Sequence, residues 1–229
     1  MKRAAIAGLT TTYDSYAGDP LAPAAPRGRL DPIELSAKVA IVSLFTIFAV
    51  RIGVDAIATG RLTGVLLLAS EGLVVVLTVV RRQAGIVDRT WQSRLLTTIS
   101  MMGPSLVYPS KVAALAPEAA TVALSVAGLV VVVSGKLSLG RSFGLLPANR
   151  GIVCRGCYRV LRHPIYLGYL ITHVAFLAAN PISWNVAMLG IADIALLRRA
   201  VYEERTLARD DRYREYMTRV RWRIVPGVF

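Results

Sequence analysis

The sequence predicts an all-α, membrane-embedded helical bundle of five to six spans, and three observations support this fold class. Hydrophobic residues make up 55% of the 229 positions and charged residues only 18%, whereas an average soluble domain is about a quarter charged. The mean hydropathy of the chain is +0.53. The apolar residues fall in stretches of roughly 17 to 20, about the length at which a helix crosses a hydrocarbon core.

The first element in the chain is a tail over residues 1–32, which contains four prolines and cannot bury a core. Beyond it, the third of six predicted spans is interrupted by two prolines and Lys111, a kink that neighbouring helices can tolerate. The fourth span has no charged residue from Ala119 to Gly135. The six spans are drawn at residues 35–58, 62–80, 95–115, 119–135, 164–180 and 182–200.

The positive charge of the chain follows this topology. The formal net charge is +13, and with six spans all but three of the 27 Lys and Arg residues lie on one side of the bundle. The exceptions are Arg51, Arg61 and Lys111. Cytoplasmic loops carry the excess of Lys and Arg, so both termini are predicted to be cytoplasmic. Nucleic-acid binding loses its support, because the cations neither form one stripe nor alternate with aromatic residues.

Two acidic residues, Glu71 and Asp193, fall in the middle of the second and sixth predicted spans. An ionisable group at membrane depth is a candidate functional residue. The favoured interpretation is structural, in which each carboxylate pairs with a polar group of a neighbouring helix and fixes the helix packing.

Two polar blocks lie on the predicted cytoplasmic side, and the first covers residues 135–170. It contains six cations and no acidic residue. Pro164 is predicted to open the fifth helix, which places Arg162 and His163 at a helix N-terminus that favours a carboxylate or phosphate.

The second block covers residues 202–229. Glu203 and Glu204 extend the sixth helix into the cytoplasm, and the hairpin of the fifth and sixth helices returns them to the Arg162-His163 turn. A cationic turn facing two carboxylates is suited to a zwitterionic or cationic ligand such as a sulfonium nucleoside.

These two blocks resemble one family of integral membrane enzymes, the isoprenylcysteine carboxyl methyltransferases and phospholipid methyltransferases. Residues 156–168 are similar to that family's G-x-Y-R-x-x-R-H-P-x-Y-x-G element, and residues 203–226 to its E-E-x-x-L, Y-x-x-Y and V-x-x-x-x-x-P pattern. The second pattern is carried by Glu203, Glu204, Leu207, Tyr213, Tyr216, Val220 and Pro226. The resemblance covers residues 135–229, and residues 33–134 contribute only hydropathy.

The resemblance implies methyl transfer from S-adenosylmethionine, held in a cytoplasmic pocket, to a lipophilic acceptor that enters from the bilayer. It implies that Arg162 or His163 holds the cofactor carboxylate and that a glutamate holds its ribose or amino group. Arg162, Glu203 and Glu204 are the implied catalytic residues. The implied cofactor-binding residues are Tyr158, Arg162, His163, Pro164, Tyr166, Glu203 and Glu204.

Arg141 and Arg223 are the first candidates to bind an acceptor carboxylate, because they lie near the outer ends of the two blocks. Such an acceptor, a prenylcysteine-like or other hydrophobic acid, is already ionised near neutral pH and needs no base. An amine acceptor would need a base, for which Glu203 or Glu204 is suited.

Two other functions remain open from the sequence. A membrane reductase of the sterol-reductase type carries a loosely similar pattern of Tyr, His-Pro and acidic residues and would bind NADPH, although this chain has no G-x-G-x-x-G element. A transporter or interaction module would instead use Glu71 and Asp193 as its pathway.

A metal or redox site is not predicted. Cys154 and Cys157 form a C-x-x-C pair, and the resembled family commonly has proline at the position of Cys157. With only His163 and His173 as further nitrogen ligands, a four-ligand zinc site would be strained, so the spacing is interpreted as coincidental.

Overall fold

The computed structural model describes residues 72–80, 86–88, 90–108, 110, 112–144 and 148–229, together with isolated helical positions between residues 39 and 54. The predictions for the 1–32 tail, Glu71, Lys111 and most of the first two spans therefore lie outside the described residues. In the described part the fold is α-helical, as predicted, with one short pair of strands.

Helix α1, Trp91–Met102, replaces the predicted continuous third span. Thr90 caps its N-terminus, where the hydroxyl accepts a hydrogen bond from the Ser93 amide. The helix gives way to a single 3₁₀ turn, Gly103–Ser105, and residues 106–108 are not helical. The prediction of a helix over 95–115 is confirmed as far as Met102 and is wrong beyond it, because Pro104 donates no backbone hydrogen bond and cannot continue a regular helix.

Helix α2, Glu118–Leu139, contains the predicted fourth span and is one turn longer at its C-terminal end. It follows Pro117 and ends at Gly140, whose φ of 51° lies in the left-handed region that glycine adopts without strain. Among the described residues, the stretch Glu118–Ser142 is the one helix long and apolar enough to cross a membrane. The six-span bundle is therefore not confirmed.

Helix α3, Pro164–Ala179, and helix α4, Ser183–Leu207, confirm the positions of the last two predicted helices. Helix α3 is apolar but only 16 residues long. Helix α4 is 25 residues long and continues about two turns beyond its predicted end, which carries Glu203 and Glu204 on regular helix. The short helix α5, Asp211–Arg219, follows and is capped by the Asp210 side chain, which accepts from the Arg212 amide.

Small residues let α2 and α3 pack closely. A Cβ atom on Gly128 would lie 2.9 Å from the Gly168 carbonyl oxygen, and one on Gly168 would lie 2.7 Å from the Gly128 carbonyl oxygen. Both distances are too short for a side chain, so the two backbones touch at this point, as in small-residue contacts between membrane helices. This contact fixes the start of α3 relative to the loop that follows α2.

That loop is held in place by a two-stranded antiparallel pairing, β1 (Ile86–Val87) with β2 (Ala148–Asn149). The Asn149 side chain also donates to Asp210 Oδ2 at 2.8 Å, just before α5. The loop after α2 is thus tied to the connection between α4 and α5, and the candidate site lies between them. The core beneath it includes Val132, Ile165, Leu196, Ala200 and Ile224, all buried.

Candidate functional site

The two polar blocks meet at the start of α3. The segment before α3 pairs with the C-terminal segment: Leu161 and Trp222 form a parallel β-bridge, and the His163 amide donates to the Arg223 carbonyl at 2.8 Å. Pro164, the first residue of α3, is buried. Backbone contacts therefore hold residues about 60 positions apart side by side. The sequence predicted that the ends of α3 and α4 meet, but not this pairing with the C-terminal segment.

Glu204 is the centre of a buried ion cluster. Its Oε2 lies 3.1 Å from Arg162 Nη1 and 2.8 Å from Arg223 Nε, and its Oε1 lies 3.3 Å from His163 Nε2. Burial raises the pKa of the Glu204 carboxyl, but the hydrogen bond and charge of His163, with Arg223 and Arg162, outweigh burial and leave this pKa below its ordinary value. Glu204 is therefore an ionised anchor whose oxygens already have partners.

The second glutamate, Glu203, has a different environment. Its Oε2 accepts a hydrogen bond from the Tyr166 hydroxyl at 2.7 Å, and the residue is only partly buried. The Tyr166 ring stacks on the His163 ring with centroids 5.1 Å apart, and the Arg199 guanidinium lies 5.4 Å from the Tyr166 ring centroid. Packing on these two neighbours fixes the Tyr166 ring, which in turn orients the Glu203 carboxylate.

Three further tyrosines, Tyr158, Tyr213 and Tyr216, lie at the site. The Tyr216 hydroxyl donates to the Tyr158 carbonyl at 2.7 Å, which joins α5 to the 3₁₀ turn Gly156–Arg159. Burial raises the pKa of the Tyr158 and Tyr213 hydroxyls, with the nearby glutamate charges adding to the effect. Both side chains are therefore protonated hydrogen-bond donors throughout the physiological pH range.

A cleft opens between the loop and the helix ends. From the loop it is lined by Ser142, Gly144, Arg150, Gly151, Ile152 and Val153. From the 3₁₀ turn and the helices it is lined by Tyr158, Arg162, His163, Tyr166, Glu203, Leu207, Tyr213 and Tyr216. Its cavity volume is about 90 Å³. A drug-sized ligand occupies a pocket of about 300–1,000 Å³, so the cleft would enclose only part of a nucleoside and leave the rest in its open mouth.

The structure brings most of the predicted cofactor residues together. Tyr158, Arg162, His163, Tyr166 and Glu203 line the cleft, and Glu204 lies behind them in the ion cluster. Among the described residues, the carboxylate oxygens of Glu204 contact Arg162, His163 and Arg223. Its roles in catalysis and cofactor binding stay predictions.

The two residues proposed for an acceptor carboxylate, Arg141 and Arg223, do not line the described cleft. Arg141 is exposed, and its Nε donates to the Val80 carbonyl at 3.1 Å. Arg223 binds Glu204, and its guanidinium lies 4.5 Å from the Phe229 ring centroid.

Sequence reasoning missed Arg150 and Arg199. Arg150 is buried and lines the cleft, and Arg199 is buried beneath Tyr166. Arg199 had a signal, since it lies four residues before Glu203 and so on the same face of α4. The sequence carried no comparable signal for Arg150 beyond the glycines near it. A residue in a loop follows no helical or strand periodicity, so its position in the sequence does not predict the direction of its side chain.

The other candidate groups lie apart from the cleft. His173 Nδ1 is 2.6 Å from Asp193 Oδ1, which joins α3 to α4 and confirms that Asp193 pairs with a polar group of a neighbouring helix. Cys154 and Cys157 are free thiols, and burial raises the pKa of Cys154. No group of three or more metal-binding side chains occurs among the residues that the structure describes.

No protein-family model matches the sequence, and no curated protein matches it. The methyltransferase resemblance therefore remains a prediction that depends on the residues themselves.

Proposed function

We propose that this protein is an S-adenosylmethionine-dependent membrane methyltransferase that acts on a lipophilic acceptor. One observation carries the proposal: the Arg162-His163-Pro164 turn and the Glu203-Glu204 pair, about 40 residues apart in the sequence, meet in space. Arg162, His163 and Glu203 line one cleft, and Glu204 binds Arg162 behind it. This is the arrangement that the resemblance to the isoprenylcysteine carboxyl methyltransferases requires. It supports the proposal more strongly than either motif alone, because the hairpin of α3 and α4 by itself brings only the helix ends together, whereas side chains of the two motifs are in direct contact.

The residues present fit an adenosyl amino acid in chemical type. The cleft offers a partly exposed carboxylate in Glu203, aromatic faces in Tyr158 and Tyr213, and cations at both of its sides. When bound, S-adenosylmethionine supplies a methyl group on an already activated sulfonium, so the reaction needs alignment and water exclusion more than acid catalysis. Glu203 is suited to accept hydrogen bonds from a ribose hydroxyl or an ammonium group, with its own orientation set by Tyr166.

The membrane location is part of the same proposal. Large apolar side chains on α2, α3 and α4 are exposed rather than packed, as expected for helices that face lipid. They are Val122, Leu124, Val130, Leu137, Val174, Trp184, Val186, Ile191 and Ile194. With six spans and both termini cytoplasmic, the cleft would open at the cytoplasmic surface, where an acceptor can enter from the bilayer.

The proposal predicts that the demethylated product, S-adenosylhomocysteine, binds the full-length protein in detergent and that Glu203→Gln weakens this binding. Glutamine preserves the size and an acceptor oxygen for Tyr166 but removes the charge. Because a hydrogen bond to a charged group is worth about 1.5–3 kcal/mol, the dissociation constant measured by calorimetry should rise about tenfold or more.

The matched control is Glu215→Gln, which removes a glutamate charge from the exposed face of α5, where Glu215 pairs with Arg219. Its affinity should equal that of the wild type. NADPH is titrated in parallel. If the protein binds NADPH but not S-adenosylhomocysteine, the methyltransferase proposal is wrong and the reductase is favoured. If the folded protein binds neither compound, both proposed activities are contradicted.

A further inference from the structure

We infer that Tyr213 binds the nucleoside part of the ligand in the cleft, where its hydroxyl donates a hydrogen bond to a neutral acceptor such as a sugar oxygen or a ring nitrogen. The resemblance counts Tyr213 in its sequence pattern but gives it no role in binding. This inference rests on the proposed function and deepens it, because it assigns one part of an adenosyl ligand to a named side chain.

The first step is that the Tyr213 hydroxyl is unpaired within the part of the chain that the structure describes. The residue is only 4% exposed and lines the cleft from α5. Its hydroxyl makes no hydrogen bond to a described residue, and its oxygen is not among the fully buried side-chain atoms without a partner there. The oxygen therefore reaches the open space of the cleft. A donor in a largely desolvated cleft favours a ligand that supplies an acceptor.

The second step is a contrast with Tyr216, which lines the same cleft from the same helix. The Tyr216 hydroxyl donates to the Tyr158 carbonyl at 2.7 Å and lies 3.4 Å from the Leu161 carbonyl oxygen, so it holds α5 against the segment before α3. The rings of Tyr213 and Tyr216 are 5.5 Å apart between centroids. Two neighbouring tyrosines thus use their hydroxyls differently: that of Tyr216 bonds the protein, and that of Tyr213 is left for a ligand.

The third step is the chemical character of the surroundings of Tyr213. The residue forms a buried cluster with Tyr216 and Val220, and Ile152 and Leu207, which also line the cleft, pack against this cluster. Burial and the nearby glutamate charges raise the pKa of the Tyr213 hydroxyl more than a nearby arginine lowers it, so the hydroxyl stays protonated. An uncharged donor beside apolar side chains and glutamate charges disfavours a ligand carboxylate and suits the neutral oxygens and nitrogens of a nucleoside.

The test compares two ligands that share the nucleoside. S-adenosylhomocysteine carries an amino-acid chain on its sulfur, and 5′-methylthioadenosine has a methyl group in place of that chain. Tyr213→Phe removes only the hydroxyl, and we expect it to raise the dissociation constants of both ligands about fivefold, as for the loss of one neutral hydrogen bond. Affinities are measured by calorimetry on the full-length protein in detergent, with competition against S-adenosylhomocysteine where 5′-methylthioadenosine binds weakly.

Thermal unfolding without ligand separates binding from a purely structural role. Tyr213→Phe should leave the midpoint of unfolding unchanged, because the hydroxyl pairs with no group in the described part of the chain. Tyr216→Phe should lower the midpoint, because it removes the donor to the Tyr158 carbonyl. The matched control is Tyr108→Phe, which removes a hydroxyl from an exposed tyrosine outside the lining of the cleft and should change neither the midpoint nor the affinities.

The outcomes separate the inference from the proposed function. If Tyr213→Phe binds both ligands as well as the wild type does, or lowers the midpoint as much as Tyr216→Phe, the inference is wrong while the methyltransferase proposal stands. If only the affinity for S-adenosylhomocysteine falls, the hydroxyl contacts the amino-acid chain and the assignment to the nucleoside is wrong. If the wild type binds neither adenosyl ligand, the proposed function and the inference both fail.

Discussion

Helices α3 and α4 are joined by two histidine–carboxylate pairs that differ in their surroundings. His163 and Glu204 lie 3.3 Å apart beside the cleft, where Arg162 and Arg223 also bind the same carboxylate. His173 and Asp193 lie 2.6 Å apart, ten residues farther along α3, and within the described part of the chain these two side chains have only each other. Glu204 thus joins the turn before α3 and the C-terminal segment to α4 beside the cleft, whereas the second pair joins two helices.

The largest effect expected from this difference is the loss of stability in Glu204→Ala. The substitution leaves Arg162, His163 and Arg223 close together without their common counter-ion in a buried position. Breaking a buried ion pair in this way costs about 3–5 kcal/mol, so the free energy of unfolding in detergent should fall by that amount. The Glu215→Ala variant, which breaks an exposed pair on α5, should lose less than about 1 kcal/mol. Equal losses in the two variants would show that the cluster is no more than a surface ion pair.

The Glu204 carboxylate should also make the free energy of unfolding depend on pH. The pKa of Glu204 is lower in the folded protein than its ordinary value of 4.5, so the ionised form stabilises the fold. This contribution is complete above the unfolded pKa and is lost as the pH falls through the lower folded pKa. Unfolding measured from about pH 7 to about pH 3 should show a loss below 4.5. The loss should be smaller in Glu204→Gln, and an identical acid profile in that variant would assign the loss to other carboxyl groups.

The sequence predicted the parts of this molecule that follow from periodicity and from local backbone chemistry. Pro164 placed the start of α3 correctly, and the charge-free run from Ala119 to Gly135 placed α2. The same reasoning wrongly extended a helix through Pro104. Hydropathy measures only how apolar a stretch is, and it ignores the backbone hydrogen bond that a proline removes.

The candidate site was predicted as a set of residues but not as a division of roles. The hairpin of the last two helices was predicted to bring Glu203 and Glu204 to the same turn as His163, yet adjacent residues of a helix point about 100° apart. Only the packed structure shows that Glu204 turns to Arg162, His163 and Arg223, and Glu203 to Tyr166 and the cleft. Arg150 reaches the cleft through a loop whose course depends on the distant contact between Asn149 and Asp210, which no local pattern encodes.

The smallest effect is expected at the second pair. Single variants His173→Leu and Asp193→Leu each leave one polar partner among apolar side chains, and the double variant removes both, so part of the loss should be recovered. Polar contacts between membrane helices average about 0.6 kcal/mol in double-mutant cycles, with a maximum near 1.7, and the coupling should fall within this range. The pair lies about 15 Å along α3 from His163, so the affinity for S-adenosylhomocysteine should be unchanged in all three variants. A large loss of ligand binding would instead show that His173 and Asp193 also support the cleft. The two histidine–carboxylate pairs would then no longer differ in their effect on the ligand.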